Sequence, residues 1–335
     1  MKRELPAREK MTAAPCTPGH GPFERLFRLL CPVLLCAAAL TSATADPLPQ
    51  GKVPPGKTLM VIQPHHDDHT WQYGFGGLIA KMIDAGYQGI YVRVSNDEKD
   101  GGMRHGWGAN DIANYEDTLV ATKNLGIEEV ISLNWRNDHM SSIPHIELRD
   151  QIVLLIRKRR PDVVMSYNPW GNYDRNPDHR KVAWAVGSAV WLSEFEGVRP
   201  DHAKLGLEPH RVPYKYYSYR NDYGRGYHPN TFYELTEGEV ARKAKSYRLH
   251  RIRVSAGAGK RTRELLDARG LRVPELDGLS DEQTHVRMQE MFMYWISAKR
   301  GEENGVRYAE VFYFMDEWHG TPGLSDYILE NAVER

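Results

Sequence analysis

Short apolar runs alternate with longer amphipathic segments along most of the chain. Residues 59–62 are apolar throughout and predict a buried strand, and a helical pattern near residues 70–85 follows and ends at Gly86. The same alternation recurs with strand-like runs at residues 89–94, 129–133 and 162–167 and helical patterns near residues 110–125, 148–159 and 182–192. Because strands that alternate with helices of this length form βαβ crossovers, the pattern predicts an α/β fold with a mostly parallel sheet.

The alternation is less regular at the two ends of this region. After Pro213, the pattern predicts strands near residues 214–219, 231–235 and 307–314 and a helix near residues 238–253. Residues 255–305 are charged and predicted to be helical or irregular, whereas four prolines in residues 46–57 predict an extended leader. We therefore predict a domain over residues 58–335, with a core of about residues 58–255 and a C-terminal extension over residues 256–335.

The first 45 residues have the composition of a secretory signal peptide. Arg25 and Arg28 precede an apolar run over residues 29–40, and Ala43-Thr44-Ala45 provides a small-residue cleavage site. The apolar run is too short to span a bilayer as a mature helix. We therefore predict cleavage after residue 45 and a secreted or periplasmic protein. A retained anchor, or a lipid anchor at Cys36, is the alternative.

Composition limits the partners and the possible metal ligands. Lys and Arg total 44, as do Asp and Glu, so the chain lacks the basic excess typical of nucleic-acid binding. After residue 45 no segment is long and apolar enough to cross a membrane. All three cysteines lie in the predicted signal peptide, so a metal in the mature protein must be bound by His and carboxylate side chains.

Two polar loops carry the candidate chemistry. His65, Asp67 and Asp68 directly follow the first predicted strand, and His179 lies in the loop after the fourth. Ligands of open α/β sheets bind at the carboxyl ends of the strands. His65, Asp68 and His179 offer three N/O donors, the usual number in a catalytic zinc site, and Asp67 lies beside them as a candidate base. The alternative is a solvated helix cap, since Asp is favoured near helix N-termini.

Two motifs, in this order, carry a family resemblance. Residues 64–69 read P-H-H-D-D-H and residues 176–179 read N-P-D-H. They resemble A-H-P-D-D-E and H-P-D-H, the paired motifs of the PIG-L (LmbE-like) family of zinc-dependent N-deacetylases. Residues 160–164, R-P-D-V-V, match a family strand entry. The resemblance covers roughly residues 57–255.

The resemblance implies a Rossmann-like three-layer fold and hydrolysis of an N-acetyl group, usually on an N-acetylglucosaminyl compound. By position it implies that His65, Asp68 and His179 bind one Zn²⁺ per chain and that Asp67 is the general base. Zinc would polarise the acetyl carbonyl and lower the pKa of its water to about 7. Acetate and a free amine would be the products. Iron or cobalt would fit the same ligands, because selectivity depends on geometry and supply.

The chain departs from the family pattern at Asn176, where the family has a histidine that assists the oxyanion or the leaving amine. Asn donates a hydrogen bond but delivers no proton at neutral pH. We hypothesise that Arg175, or one of His66 and His69, supplies the charge of the missing histidine. Asn176 is counted with Asp67 and Arg175 among the predicted catalytic residues. The alternative for both histidines is a supporting or surface role.

Four residues are predicted to contact substrate. Asp138 resembles a family aspartate with this role, and Asn114 falls where the family has a substrate-contacting arginine. His66 is a candidate because it adjoins the ligands, and Trp170 because an aromatic face there could stack on a sugar ring. For Trp170 the alternative is ordinary packing.

We therefore predict an exported zinc-dependent N-deacetylase that acts on a small molecule or glycan with an N-acetyl sugar. Two alternatives stay open. One is metal-dependent hydrolysis of another amide or acyl bond. The other is a carbohydrate-binding protein with this fold that has lost turnover. The sequence does not define the oligomeric state.

Overall fold

The computed structural model describes residues 47–71, 73–100, 107–170, 174–218, 228–251, 256–316 and 324–334. The predicted signal peptide, residues 1–45, lies outside these ranges. Across the ranges that are described, no helix combines the length and the apolar character needed to cross a membrane.

One sheet of seven strands organises the fold, in the order β3-β2-β1-β4-β5-β7-β6. The strands are Thr58–Gln63 (β1), Gln88–Ser95 (β2), Glu129–Trp135 (β3), Val163–Tyr167 (β4), Tyr214–Ser218 (β5), Thr231–Glu234 (β6) and Ala309–Met315 (β7). β1 to β5 pair in parallel, whereas β7 runs antiparallel to both β5 and β6. The predicted mostly parallel sheet is therefore confirmed.

Helices cover both faces of the sheet. They are Gly76–Asp84 (α1), Trp107–Leu125 (α2), His145–Arg159 (α3), Pro177–Leu192 (α4), Glu237–Leu249 (α5), Ala256–Asp267 (α6), Asp281–Glu303 (α7) and Leu324–Glu330 (α8). Met60 and Ile62 of β1 pack with apolar residues of α3 and α4. Leu59 and Val61 point the other way and pack with α1. β1 is therefore buried on both faces, which explains its continuous apolar sequence.

The strand order changes direction at β1. Met60 pairs with Ile90 of β2 on one side and with Val164 of β4 on the other. The chain therefore leaves β1 and β4 at neighbouring points of the carboxyl edge, which is where ligands bind in open α/β sheets. The two sequence motifs follow these two strands, so the topology itself brings them together.

The first helix begins later than predicted. A short 3-10 helix covers Asp68–Thr70, and α1 starts only at Gly76. Between them the chain turns so tightly that a Cβ at Gly74 would lie 2.5 Å from the carbonyl oxygen of Asp68. Only glycine fits this turn without displacing the backbone. The ligand loop therefore bends back on itself instead of continuing into the helix.

The extended leader and the C-terminal extension both join the central sheet. β7 belongs to the C-terminal extension and lies between β5 and β6. The extended leader makes a parallel bridge from Gln50 to Phe232 of β6. Because β6 is the last strand of the sheet, the leader pairs with an edge that would otherwise be open. The extension is thus an integral part of the α/β layer structure.

A buried ion pair connects the extension to the start of α1. The Glu310 carboxylate on β7 accepts the backbone N–H groups of Gly77 (3.1 Å) and Leu78 (2.9 Å). Lys243 Nζ, from α5, lies 2.6 Å from Glu310 Oε1 and donates to the Gly74 carbonyl at 3.3 Å. A carboxylate is favoured at a helix N-terminus, and the ammonium compensates its charge. The pair therefore holds the far end of the ligand loop.

Removing one partner of this pair should destabilise the fold strongly. Lys243→Met leaves a buried carboxylate without its counter-charge, and Glu310→Gln leaves a buried ammonium. For each single variant we expect a loss of about 3–5 kcal/mol in the free energy of unfolding. The double variant should lose much less than the sum, since no unpaired charge remains. Urea denaturation of the four proteins gives the interaction energy as a double-mutant cycle.

The pair of Arg248 and Glu290 provides the matched control. Their side-chain atoms lie 2.8 Å apart, and the Arg248 side chain is 49% exposed. Arg248→Met and Glu290→Gln should each cost within about 1 kcal/mol, because exposed ion pairs contribute little. Strictly additive losses for Lys243 and Glu310 would contradict the account of a coupled buried pair.

Candidate metal centre

The structure brings His65, Asp68 and His179 together at the carboxyl ends of β1 and β4. His65 Nδ1 lies 3.0 Å from His179 Nε2 and 3.4 Å from Asp68 Oδ2. His179 Nε2 lies 3.4 Å from Asp68 Oδ1. All three residues are buried. The two imidazoles, each through one nitrogen, and the Asp68 carboxylate, through both oxygens, therefore face a common point.

These donor atoms fit a tetrahedral divalent metal. Zinc binds imidazole and carboxylate at about 2.0–2.2 Å, which separates neighbouring ligand atoms by roughly 3.3–3.6 Å. The observed separations of 3.0 to 3.4 Å lie close to that range. Two imidazoles and one carboxylate form a borderline donor set that suits zinc, and also iron or cobalt. The residues present therefore fit the metal that the family resemblance implies.

Two further aspartates orient the imidazoles. Asp174 Oδ2 lies 2.7 Å from Nδ1 of His179, so Nε2 of that ring faces the other two donors. Asp178 Oδ2 lies 3.5 Å from Nε2 of His65, and the same carboxylate accepts the backbone N–H of Asp138 at 2.7 Å. Carboxylates in this position fix the ring and its tautomer for metal binding. Both aspartates lie within five residues of His179 in the chain. This closeness was the sequence signal that could have identified them as supports of the ligand.

Tyr167 is a further supporting residue that the sequence did not identify. Its hydroxyl donates to Asp68 Oδ1 at 2.8 Å, and its ring stacks on the His179 ring at 4.5 Å. The backbone N–H of His65 donates to Asp68 Oδ2 at 2.9 Å. Tyr167 reads in the sequence as the last residue of a buried strand, so nothing distinguished it from a core residue. The Asp68 carboxylate is consequently fixed on both oxygens.

The charged groups of the site stabilise one another. Burial alone would lower the pKa of His65, but Asp178 and Asp68 raise that pKa well above its ordinary value. Burial alone would raise the pKa of Asp68, whereas His179 and His65 hold it well below its usual range. His69 differs, because burial lowers its pKa to about 3 and keeps the ring neutral. The buried carboxylates therefore favour positive charge at the point where the three donors meet.

Asp67 lies beside this point without being one of the three donors. Its Oδ2 accepts the indole N–H of Trp71 at 2.8 Å, and its Oδ1 lies 3.9 Å from His66 Nε2. Its backbone carbonyl accepts the Thr70 hydroxyl at 2.7 Å. A carboxylate held this firmly and only 3% exposed is positioned to accept a proton at one fixed place. Its predicted role as general base stays a prediction.

Asn176 has a structural function at the start of α4. Its Oδ1 accepts the backbone N–H of Asp178 at 2.9 Å, and Pro177 occupies the first helical position. Asn is among the best N-cap residues and Pro is favoured at the next position. The amide oxygen that replaces the family histidine is thus committed to the helix cap. Arg175 lies next to it and is exposed; its catalytic role stays a prediction.

Two of the four predicted substrate contacts are fully buried. Asn114 Nδ2 donates to the backbone carbonyl of Asp97 at 2.8 Å, which holds the loop after β2. His66 Nε2 lies 2.6 Å from Asp100 Oδ2 in the same loop. Both side chains are 0% exposed and make protein contacts in this structure, and their substrate-binding roles stay predictions.

Asp138 and Trp170 are the exposed members of that prediction. The Asp138 side chain is 59% exposed, and its residue has a left-handed φ of 61°. Trp170 is 44% exposed and packs edge-on against Tyr217 and Tyr313. It follows β4, at the same edge of the sheet as the metal centre, and its predicted contact with a sugar ring stays a prediction.

Comparison with known proteins finds a family match over part of the chain. Residues 60–190 match the PIG-L family, described as GlcNAc-PI de-N-acetylase, which confirms the resemblance for the segment that contains both motifs. The chain is 28% identical over 177 residues to the diacetylchitobiose deacetylase of Thermococcus kodakarensis. That alignment covers 50% of this chain and 62% of the relative, which is less than two thirds of the relative's length.

Solved structures confirm the fold. The N,N'-diacetylchitobiose deacetylase from Pyrococcus horikoshii has a TM-score of 0.62 and 24% identity, with 82% of this chain and 89% of that chain covered. The 4-carboxy-2-hydroxymuconate hydratase from Pseudomonas putida has a TM-score of 0.56 and 16% identity, with 79% and 98% covered. Because a deacetylase and a hydratase share the fold, the reaction must be argued from the site.

Neutralising Asp174 should weaken metal binding without unfolding the protein. In Asp174→Asn the His179 ring loses its charged partner, so we expect zinc affinity to fall by about tenfold to a hundredfold. Zinc titration against a chromophoric chelator measures this change, and circular dichroism checks the fold. Asp267→Asn, on the exposed end of α6, is the matched loss of one charge and should bind zinc like the wild type. Equal affinities for all three proteins would show that Asp174 does not support the site.

Proposed function

We propose that this chain, whose residues 60–190 form a PIG-L domain, is an exported metal-dependent N-deacetylase. Its substrate would be an N-acetylglucosaminyl compound, and the products would be acetate and the free amine. The observation that carries the proposal is the convergence of His65, Asp68 and His179 with Asp67 directly beside them. The similarity to diacetylchitobiose deacetylase supports the choice of the N-acetyl bond.

His65, Asp68 and His179 would hold the metal, and zinc is the proposed ion. When bound, it supplies a Lewis acid for the acetyl carbonyl and for water. The chain's own residues keep the donors in place: Asp174 fixes the His179 ring, and Tyr167 fixes the Asp68 carboxylate. Because these contacts exist between protein groups alone, little reorganisation is needed when substrate binds.

Asp67 is the proposed general base. The Trp71 indole N–H holds one carboxylate oxygen at 2.8 Å, which fixes the direction from which a proton is accepted. Asp67 takes the proton of the attacking water as the new C–O bond forms. The amide C–N bond then breaks, and the proton passes to the nitrogen, which leaves as the amine. The metal ligands need not change protonation at any point of this sequence.

Arg175 is proposed to compensate for the histidine that the family has at position 176. It is exposed at the rim of the site, and its guanidinium carries a permanent charge that can stabilise a developing oxyanion. Asn176 contributes by capping α4, whose first turn carries the ligand His179. Trp170 and Asp138 would bind the sugar, since both are accessible on the same edge of the sheet.

Acetate release from a panel of N-acetylglucosaminides is the direct test of the reaction. We expect release by the metal-loaded protein and a loss of roughly 10²–10⁴-fold in kcat for Asp67→Asn, because the amide cannot accept the proton. Zinc affinity at the site formed by His65, Asp68 and His179 should be unchanged in that variant. Glu147→Gln, an exposed charge removal on α3, is the control. Metal binding without acetate release from any member would instead favour another amide or acyl substrate, or a carbohydrate-binding protein.

Variants at positions 175 and 176 test whether Arg175 supplies the charge of the missing histidine. Arg175→Ala should lower kcat by about 10²–10³-fold, as expected for removal of an oxyanion partner. Asn176→Ser should keep near-normal turnover, because serine also caps the helix. Steady-state kinetics on the same substrate measures both. Normal turnover in Arg175→Ala together with an inactive, folded Asn176→Ser would contradict this assignment.

A further inference from the structure

A second group of possible metal ligands lies beside the first. His66, Asp67 and Asp100 each direct one donor atom into a common volume, with all three atoms within 4.8 Å of one another. Asp100 Oδ2 lies 2.6 Å from His66 Nε2, and Asp67 Oδ1 lies 3.9 Å from the same nitrogen. His66 is completely buried and Asp67 is 3% exposed. Nε2 of His66 is therefore flanked by two carboxylates.

A proton on His66 can satisfy only one of these carboxylates. At 2.6 Å Asp100 is within hydrogen-bond distance of Nε2, whereas Asp67 Oδ1 at 3.9 Å is beyond it. A zinc ion that binds N and O donors at about 2.0–2.2 Å separates neighbouring ligand atoms by roughly 3.3–3.6 Å, which lies between the 2.6 Å and 3.9 Å observed here. Small side-chain shifts would therefore let one cation contact both carboxylates, whereas a proton on Nε2 bonds to only one.

The surrounding charge also favours a cation. The negative charges of Asp67, Asp97 and Asp100 all act on the His66 ring. Asp97 is fully buried, and its Oδ2 makes no hydrogen bond within the described residues. Arg93 Nη1 lies 3.6 Å from that oxygen, but Arg93 also pairs with Asp111 at 3.0 Å. Arg93 thus divides its charge between Asp97 and Asp111.

We propose that His66, Asp67 and Asp100 form a second divalent-cation site, separate from the one at His65, Asp68 and His179. An imidazole with two carboxylates suits zinc or another borderline divalent ion. His66 would bind through Nε2, in place of its present 2.6 Å contact with Asp100 Oδ2. The site depends on this chain having His66 where the family motif has proline.

Occupation of the second site inhibits the enzyme. This consequence rests on the proposed function, because it follows from the role of Asp67 as base. A carboxylate that binds a cation through Oδ1 is a poorer proton acceptor, and its orientation toward the attacking water is lost. Zinc should therefore activate the protein at low concentration and inhibit it at higher concentration.

Metal stoichiometry tests the site independently of activity. Purified protein is equilibrated with excess zinc, freed of unbound metal by rapid gel filtration and analysed by mass spectrometry for zinc per chain; isothermal titration calorimetry gives the two affinities. We expect two ions in the wild type and one in Asp100→Asn, because an amide is a much weaker ligand. His66→Gln should also bind one, which provides a second test if Asp100→Asn is poorly folded. Glu147→Gln should bind two.

A single ion in the wild type, or two ions in both His66→Gln and Asp100→Asn, would overturn the second site. If acetate is released but only one ion binds, this proposal fails while the proposed function stands. If two ions bind but no acetate is released at any zinc loading, including one ion per chain, the second site stands and the proposed function fails.

Inhibition by zinc tests the functional consequence. With each protein scaled to its own maximum rate, the zinc concentration for half-inhibition should rise by about tenfold or more in Asp100→Asn, in line with a lost ligand contact. Glu147→Gln should follow the wild-type curve. Identical inhibition curves for wild type and Asp100→Asn, or a wild-type rate that rises as the second ion binds, would contradict the inhibitory role.

Discussion

The parallel pairing of β1 with β4 is the constraint on which the rest of this structure depends. The two strands are more than a hundred residues apart in the chain, yet Met60 lies opposite Val164 in adjacent strands. The motif loops leave the sheet next to one another only because of this pairing. The site would disappear if β4 were inserted elsewhere, even with every ligand residue retained. The apolar core on both faces of β1 is therefore also the foundation of the metal centre.

Buried charge is balanced locally at both ends of the ligand loop. At the metal centre, His65 and His179 face Asp178, Asp68 and Asp174, so each imidazole has a carboxylate behind it. At the other end of the ligand loop, Lys243 compensates Glu310 at the N-terminus of α1. The loop that supplies Asp67 and Asp68 thus lies between two buried polar networks. Rigid donors of this kind bind a metal without first having to become ordered.

The sequence was most informative where a single local pattern determines the structure. Apolar runs such as residues 59–62 located the strands, and polar residues at strand ends located His65, Asp68 and His179, because both features are properties of short segments. The start of α1 was wrong, because the close approach of Gly74 to the Asp68 carbonyl depends on a turn that has no helical signal. Asn114, which we predicted to contact substrate, is buried and bonded to the loop after β2, so its role as a substrate contact stays a prediction.

Contacts between distant segments could not be read from the sequence. Glu310 and Lys243 are separated by 67 residues, and neither has a neighbour that marks it as an ion-pair partner. Tyr167 contacts Asp68 across 99 residues, while its own surroundings are those of an ordinary core strand. Asp174 was easier to predict from the sequence, since it precedes His179 by only five positions. Sequence patterns thus predict the ligands of a site more readily than the residues that hold them.

The most direct test of the central claim is an anomalous difference map, recorded at the zinc edge, from crystals grown with zinc at one equivalent per chain. The account predicts a dominant peak bounded by His65 Nδ1, Asp68 and His179 Nε2, with Asp67 outside its coordination sphere. A protein that binds zinc with the dominant peak elsewhere, or with none between those three side chains, would contradict the assignment of the metal centre.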